Sequence, residues 1–261
     1  MLNNLGVVIT RPAHQSAPLY RLLEGYQARP LLFPVLEIVD PTDLTQLRVV
    51  LAELKNCDIA IFISPNAVER AQKWINSAGG LPERFQIAAI GQGTARTLAR
   101  FGLSADILPE KNFDSEALLA CPELAEVCGR QIIIFRGQGG RELLGEELTR
   151  RGALVRYAEV YQRIPASPDS QELIARISQY DLHVAVVTSS EILRVFWDLL
   201  PARGREWLSE LAHLVVFSNH TATLGRNLGL RGPIHLARPA TDQAIIEILC
   251  REFPGRNSLL N

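Results

Sequence analysis

Two stretches of this chain, 125 residues apart, spell the same strand, turn, helix and strand, and that repetition limits the possible folds more than any other feature. Residues 132–135 are apolar and run into Arg136-Gly137-Gln138-Gly139-Gly140, after which Leu143, Leu144 and Leu148 mark one face of a helix. Gly152 suits a left-handed helix end. Residues 154–161 then alternate apolar and polar side chains as a half-buried strand does, with Tyr161 at its end. Earlier in the chain, residues 6–12 read as a strand and turn, Leu19, Leu22 and Leu23 as a helix face, and residues 31–38 as a second strand. Arg11 matches Arg136, and Val35-Leu36-Glu37 falls opposite Val160-Tyr161-Gln162, all at the offset of 125. A duplication of this kind implies two similar lobes.

The remaining chain keeps the same rhythm. An amphipathic helix over 44–54 leads to a buried strand over 59–63, and Ser64 is placed to cap a helix whose first residue is Pro65, which has no amide hydrogen to waste there. A strand over 86–90, the turn 91–94, a helix over 95–101, a short strand over 105–108 and a helix opened by Asp114 and Ser115 follow. After Tyr161 come a helix over 170–178, a strand over 184–187, a helix start at Thr188 to Glu191 that fits a capping box, and a strand over 214–217 ending at Ser218. Thr94-Ala95 matches Thr221-Ala222, and Ala117 matches Ala244, at an offset of 127. Strands alternating with helices imply parallel sheets covered on both faces. Such sheets bind ligands beyond the carboxyl ends of their strands, so the turns at 10–12, 64–66, 91–94, 136–140, 188–190 and 218–221 are expected to face a common cleft.

The chain has 261 residues, a length that favours two domains. A net charge of −1 argues against a field that draws in nucleic acid or an anionic membrane, so any anion site must be local. Cys57, Cys121, Cys128 and Cys250 form no CxxC pair and read as thiols of a reducing cytosol. The apolar runs are too short to span a bilayer, and a soluble cytoplasmic protein is expected.

Several chemistries lack their motifs. The glycine turns at 91–93 and 137–140 do not complete GxGxxG, and no GxxxxGK[ST] occurs. His14, His183, His213, His220 and His235 are scattered, which argues against a catalytic metal, and no GxSxG elbow is present. The serines and threonines fall at helix starts, where they cap; the same helix starts offer free amides and a partial positive end to an anion. Arg11 and Arg136 sit at matching strand ends, either as anion ligands or in surface ion pairs. Tyr161 is either an amphipathic rim residue or a proton donor.

Taken in order, ITRP, SPNA, IGQGTA, DSEALL, FRGQGGRELL, VYQR, VTSS and SNHTA span essentially the whole chain, and the pattern resembles the uroporphyrinogen-III synthase family. One departure is Ile63 before Ser64, where the family usually has threonine. The resemblance implies two flavodoxin-like α/β domains with parallel sheets joined by a two-stranded linker, one domain formed by 1–37 with 165–261 and the other by 38–164. It implies a monomeric lyase, without cofactor or metal, that cyclises hydroxymethylbilane, a linear tetrapyrrole with eight carboxylates, and inverts the last pyrrole through a spiro intermediate. Tyr161 would be the proton donor. Arg11, Ser64, Asn66, Thr94, Arg136, Gly137, Gln138, Ser189, Ser190, Ser218 and Thr221 would bind the substrate. The competing expectation is a two-lobed binding module for a small anion that does no chemistry.

Overall fold

The computed structural model describes residues 1–82, 84–111 and 113–254. In chain order the first elements are β1 (Gly6–Ile9), α1 (Ala13–Gly25), β2 (Arg29–Leu32), β3 (Leu36–Val39), α2 (Thr45–Ala52), β4 (Ile59–Phe62), α3 (Pro65–Ser77), β5 (Gln86–Ala89) and α4 (Gln92–Arg100). Next come α5 (Ser115–Leu119), β6 (Gln131–Gly137), α6 (Leu143–Arg150), β7 (Leu154–Pro165), α7 (Ser170–Ser178), β8 (Val184–Val187) and α8 (Ser190–Leu199). The last are α9 (Ala202–Glu206), β9 (His213–Val216), α10 (Asn219–Asn227), β10 (Ile234–Leu236) and α11 (Asp242–Glu252). The chain divides into two compact units: unit 1 takes Met1–Glu37 and the chain from Ile164 onward, unit 2 takes Ile38–Arg163. The chain passes from one to the other within β3 and returns within β7, and these two strands are neighbours in one sheet.

Unit 1 is built on a five-stranded sheet in the order β2-β1-β8-β9-β10, whose neighbours all pair in parallel. Parallel strands covered on both faces must be apolar throughout, and GVVI of β1 and VAVV of β8 are wholly buried. Alternation sorts them. Val8, Ala185, Val187, Leu214 and Val216 meet Leu173, Leu193, Phe196 and Trp207 on one face. Val7, Ile9, Val184, Val186 and Val215 meet Leu19, Leu23, Ile245 and Leu249 on the other.

In unit 2 the sheet order is β3-β7-β6-β4-β5, extended past β5 by one bridge from Ala88 to Ile107. Ala60, Phe62, Ile133 and Phe135 pack on Leu47, Val50, Val68, Ala71 and Leu98, with the Phe62 and Phe135 rings stacked at 4.8 Å. Ile59, Ile61, Ile132 and Ile134 face Leu118, Leu144 and Leu148.

The duplication and the units do not coincide. Ile59 and Val184 open β4 and β8 at the 125 offset, while Gln86 and His213 open β5 and β9 at 127. Unit 1 therefore joins the first β-α-β segment (β1, α1, β2) to strands of the second copy, and unit 2 joins the second copy's segment (β6, α6, β7) to strands of the first. Each unit is a hybrid of both copies.

Four sequence expectations need correction. The strand expected over 31–38 is two strands, because Pro34 has no amide hydrogen and the chain changes sheets there. The strand expected over 105–108 shrinks to the single bridge at Ile107, as the Asp106 carboxylate also accepts the Ile87 N–H and takes a place in the ladder. The cap of α8 is Ser189, which accepts from the Ile192 N–H, so the Thr188 capping box lies one residue too early. Helix α4 begins at Gln92, and residues 91–94 are its cap and first turn rather than a loop.

A half-buried histidine pair marks the amino end of the unit 1 sheet. His213 Nδ1 lies 3.0 Å from His235 Nε2, and the Phe253 ring packs tilted against His213 at 4.7 Å. Burial pushes both imidazoles below their ordinary value, with Glu252 opposing and Arg251 and His213 adding to the fall at His235. The unfolded chain then binds more protons than the folded one at mildly acid pH. Stability is expected to be complete above about pH 6.5, the unfolded value, and to fall as pH drops through it. Melting curves at neutral and mildly acid pH check this: a His213→Asn/His235→Asn double variant should flatten the slope, and an equally steep slope would refute the assignment.

Candidate functional site

The carboxyl ends of β4 and β6 lie in unit 2 beside Tyr161 of β7. Ser64, just after β4, is the N-cap of α3: its Oγ accepts the Ala67 N–H at 3.0 Å, and Pro65 fills the first helical position. The Tyr161 hydroxyl lies 3.2 Å from that same Oγ. Tyr161 is only 1% exposed, in a cluster with Phe62, Phe135 and Val160, so it is a core residue and not a rim residue. Its carbonyl accepts the Gln138 N–H at 2.7 Å. Gly137 makes room for the ring, since a Cβ there would sit 2.4 Å from Tyr161 Cε2. Asn66 stands in the first turn of α3, and Thr94 is buried in the first turn of α4.

Arg136 turns inward. It is 3% exposed, with its Nε donating to the Gly137 carbonyl at 3.2 Å, its guanidinium 4.6 Å over the Tyr157 ring, and Glu159 at 3.7 Å. Glu159 also accepts the Gly139 N–H at 3.3 Å. Arg136 thus braces the glycine loop in which Gly139 and Gly140 have positive φ. A side chain so buried does not fit the reading of a surface ion pair, although its ionic partner, Glu159, is present. Burial raises the Tyr157 phenol above its ordinary value, with Arg136 opposing.

In unit 1 the corresponding strand ends carry a hydroxyl network. Thr221 Oγ1 is 2.9 Å from Ser218 Oγ and 3.1 Å from Ser190 Oγ, which ties the starts of α8 and α10 together. Thr221 is fully buried, Ser189 and Ser190 are partly exposed and Ser218 is exposed. Arg11, after β1, pairs with Asp242 in the first turn of α11 at 2.7 Å and lies 5.5 Å over the Phe217 ring. Its Nε is buried without a hydrogen-bond partner, a cation held among helix starts by one carboxylate. Asp242 and Glu159 were not found by sequence reasoning. Both partner an arginine across a long sequence separation, and no spacing rule reports that.

The donors present favour anions. Capped helix starts at Ser64, Ser189, Ser218 and Thr241 place positive helix ends beside the strand ends, and each such end stabilises a nearby negative charge by about 0.3–1 kcal/mol. A separate cavity of about 370 Å³ in unit 2 borders Gln138 and carries mixed charge, from Asp43, Glu159 and Arg156. No group of three His, Cys, Asp or Glu side chains able to hold a metal occurs among the described residues. Burial pushes the Cys57 thiol up to about 11, which makes it a poor nucleophile.

These features define a duplicated, doubly wound α/β protein whose strand ends carry capped helix starts and clustered hydroxyls. The family model described as uroporphyrinogen-III synthase HemD matches residues 17–246. The chain belongs to the uroporphyrinogen-III synthase family. It is 34% identical over 250 residues to the uroporphyrinogen-III synthase of Escherichia coli K12, covering 94% of this chain and all of that one. The Salmonella typhimurium enzyme of the same name is 35% identical over 254 residues, with 94% and 100% covered. In fold the chain is similar to a mutant uroporphyrinogen III synthase of Thermus thermophilus, with a TM-score of 0.63, 18% identity, and 95% of this chain and 99% of that one covered. The uroporphyrinogen-III synthetase of Helicobacter pylori gives a TM-score of 0.58 at 15% identity, covering 95% and 99%. No described helix is long and apolar enough to cross a membrane.

Proposed function

We propose that this chain cyclises hydroxymethylbilane to uroporphyrinogen III, releasing water and inverting the last pyrrole ring. The observation that carries the reading is a phenol and a serine hydroxyl paired beside helix-start amides, in a chain 34% identical to a uroporphyrinogen-III synthase over nearly its whole length. The substrate's pyrroles supply the electron push: a ring nitrogen expels the terminal hydroxyl to give an azafulvene, a substituted carbon of the last ring attacks it, and the spiro intermediate fragments and recloses. What remains for the protein is to fold the chain, protonate the leaving hydroxyl and decide which carbon attacks. Positioning alone is worth several kcal/mol in such a step.

Tyr161 supplies the proton. The starts of the helices capped by Ser64, Ser189 and Ser218, with Asn66, Thr94, Gly137 and the side chain of Gln138, hold acetate and propionate groups. Ser190 and Thr221 set the spacing of the unit 1 helix starts. Arg11 adds positive charge that Asp242 only partly neutralises, and Arg136 acts indirectly, by shaping its loop. The protein works as a monomer in the cytoplasm, a setting consistent with four free thiols.

The test is to mix purified protein with hydroxymethylbilane and resolve the ring isomers. Type-III product is expected at rates far above background, whereas a binding module would leave only the spontaneous type-I ring. Tyr161→Phe should lower the type-III rate by about 10²-fold, the lower end of general-acid effects, with type-I product rising in proportion. An unchanged type-III rate would remove the tyrosine from the mechanism.

A further inference from the structure

Resting on that reading of the site, we propose that the proton reaches the leaving hydroxyl through Ser64, with Tyr161 acting from inside the core as the second member of a two-hydroxyl relay. A side chain 1% exposed cannot meet a large polycarboxylate while it keeps its place in the core. Ser64 can, because it is partly exposed at the start of α3.

The hydrogen-bond inventory fits a relay. A serine hydroxyl has one donor and two acceptor positions. One acceptor position of Ser64 Oγ takes the Ala67 N–H at 3.0 Å, and the other faces the Tyr161 hydroxyl at 3.2 Å. When the phenol is the donor, one of the two directions open to this pair, the serine's own hydrogen is left to point outward. As the carbon–oxygen bond of the hydroxymethyl group breaks, its oxygen takes the Ser64 proton and leaves as water, and Ser64 takes the Tyr161 proton. The electron pair for the new exocyclic double bond comes from the pyrrole nitrogen. The proton lost when the pyrroles regain aromaticity returns through Ser64 to the tyrosinate, so no external acid is consumed. Arg163, with its guanidinium 5.5 Å from the ring centroid, favours the transient negative charge.

The sister unit supplies a control within the same molecule. At the 125-residue offset Tyr161 corresponds to Leu36, buried in the core of unit 1, and Ser64 corresponds to Ser189, also an N-cap. The fold is satisfied there by leucine, so packing does not require a phenol. In unit 2 the phenol is instead accommodated by a glycine at 137.

Asparagine caps helices as well as serine does but has no hydroxyl to pass a proton, and threonine keeps both functions. The experiment compares kcat and KM for type-III formation in the wild type, Ser64→Asn, Ser64→Thr, Tyr161→Phe and the Ser64→Asn/Tyr161→Phe double variant, with melting temperatures alongside. The wild-type rate is read first; failure to form type-III product there would overturn the proposed function itself. Given that activity, each of the Asn and Phe variants is expected to lose about 10²-fold in kcat with KM nearly unchanged. The double variant should lose no more than either single one, as residues acting in one relay do, and Ser64→Thr should recover most of the rate. A well-folded Ser64→Asn with wild-type kcat, or multiplied losses in the double variant, would show Tyr161 acting without Ser64 and end the proposal.

Discussion

Gly6→Ala is expected to remove about 3–5 kcal/mol from the stability of unit 1, a large part of the margin of a typical domain. Gly6 opens β1, a central strand with β2 on one side and β8 on the other. A Cβ on it would sit 1.6 Å from the Asp181 carbonyl oxygen and 2.7 Å from its carbon. Backbone cannot rotate away as a side chain can. Asp181 is also pinned, by Arg29 at 2.8 Å and Arg176 at 2.7 Å, while Arg176 donates to the Arg29 carbonyl at 3.0 Å. The amide of Gly6 donates to His183 Nδ1 and its carbonyl accepts the His183 N–H, so moving β1 would break both. Urea titration followed by tryptophan fluorescence is the check, with Trp197 and Trp207 reporting on unit 1 and Trp74 on unit 2. The unit 1 signal should move to much lower urea, and a midpoint like that of the wild type would show that the strand can shift after all.

Gly137→Ala is the second large effect, and it should separate activity from folding. The added carbon would lie 2.4 Å from Tyr161 Cε2 and 2.5 Å from Cζ, against a buried ring that can only pivot. Pivoting moves the phenol away from Ser64. Overpacking of this kind costs about 1–3 kcal/mol, which unit 2 should survive because β6 stays paired with β4 and β7. The type-III rate is expected to fall about as far as in Tyr161→Phe, roughly 10²-fold. In a Tyr161→Leu background, which copies the residue of the sister unit, the same alanine should cost little melting temperature. If Gly137→Ala keeps the wild-type rate, the ring is not held where the mechanism requires it.

Much of the architecture could be read from the chain before folding. The capping serines at 64 and 218, with Asp114, were legible because a cap is a local matter, a side-chain oxygen meeting an amide three residues ahead. Apolar runs such as 184–187 identified central strands for an equally local reason. Where local signals competed, the reading slipped by one to three residues, as at Ser189 and at the start of α4. The site residues were legible as positions and less so as roles. Tyr161 read as a strand-end tyrosine, and nothing in the alternation of β7 distinguishes the rim from the core. The register shift between Arg136 and Gly137 is what brings Tyr161 opposite Gly137. Arg136 looked equivalent to Arg11, yet one braces a glycine loop and the other sits against Asp242.

Sequence alone determined the duplication and most of the strand and helix order, because each depends on periodicity and short-range hydrogen bonding. Only the tertiary structure decided which β-α-β segment completes which sheet. The two copies present equivalent strands at a nearly constant offset, so pairing within a copy and pairing across copies satisfy the same local preferences. The choice falls to long-range packing and to the break at Pro34, where the chain leaves the β2 edge of one sheet and enters the other as β3. The same long-range choice buries the Tyr161 hydroxyl beside Ser64, a contact across 97 residues that no local pattern encodes.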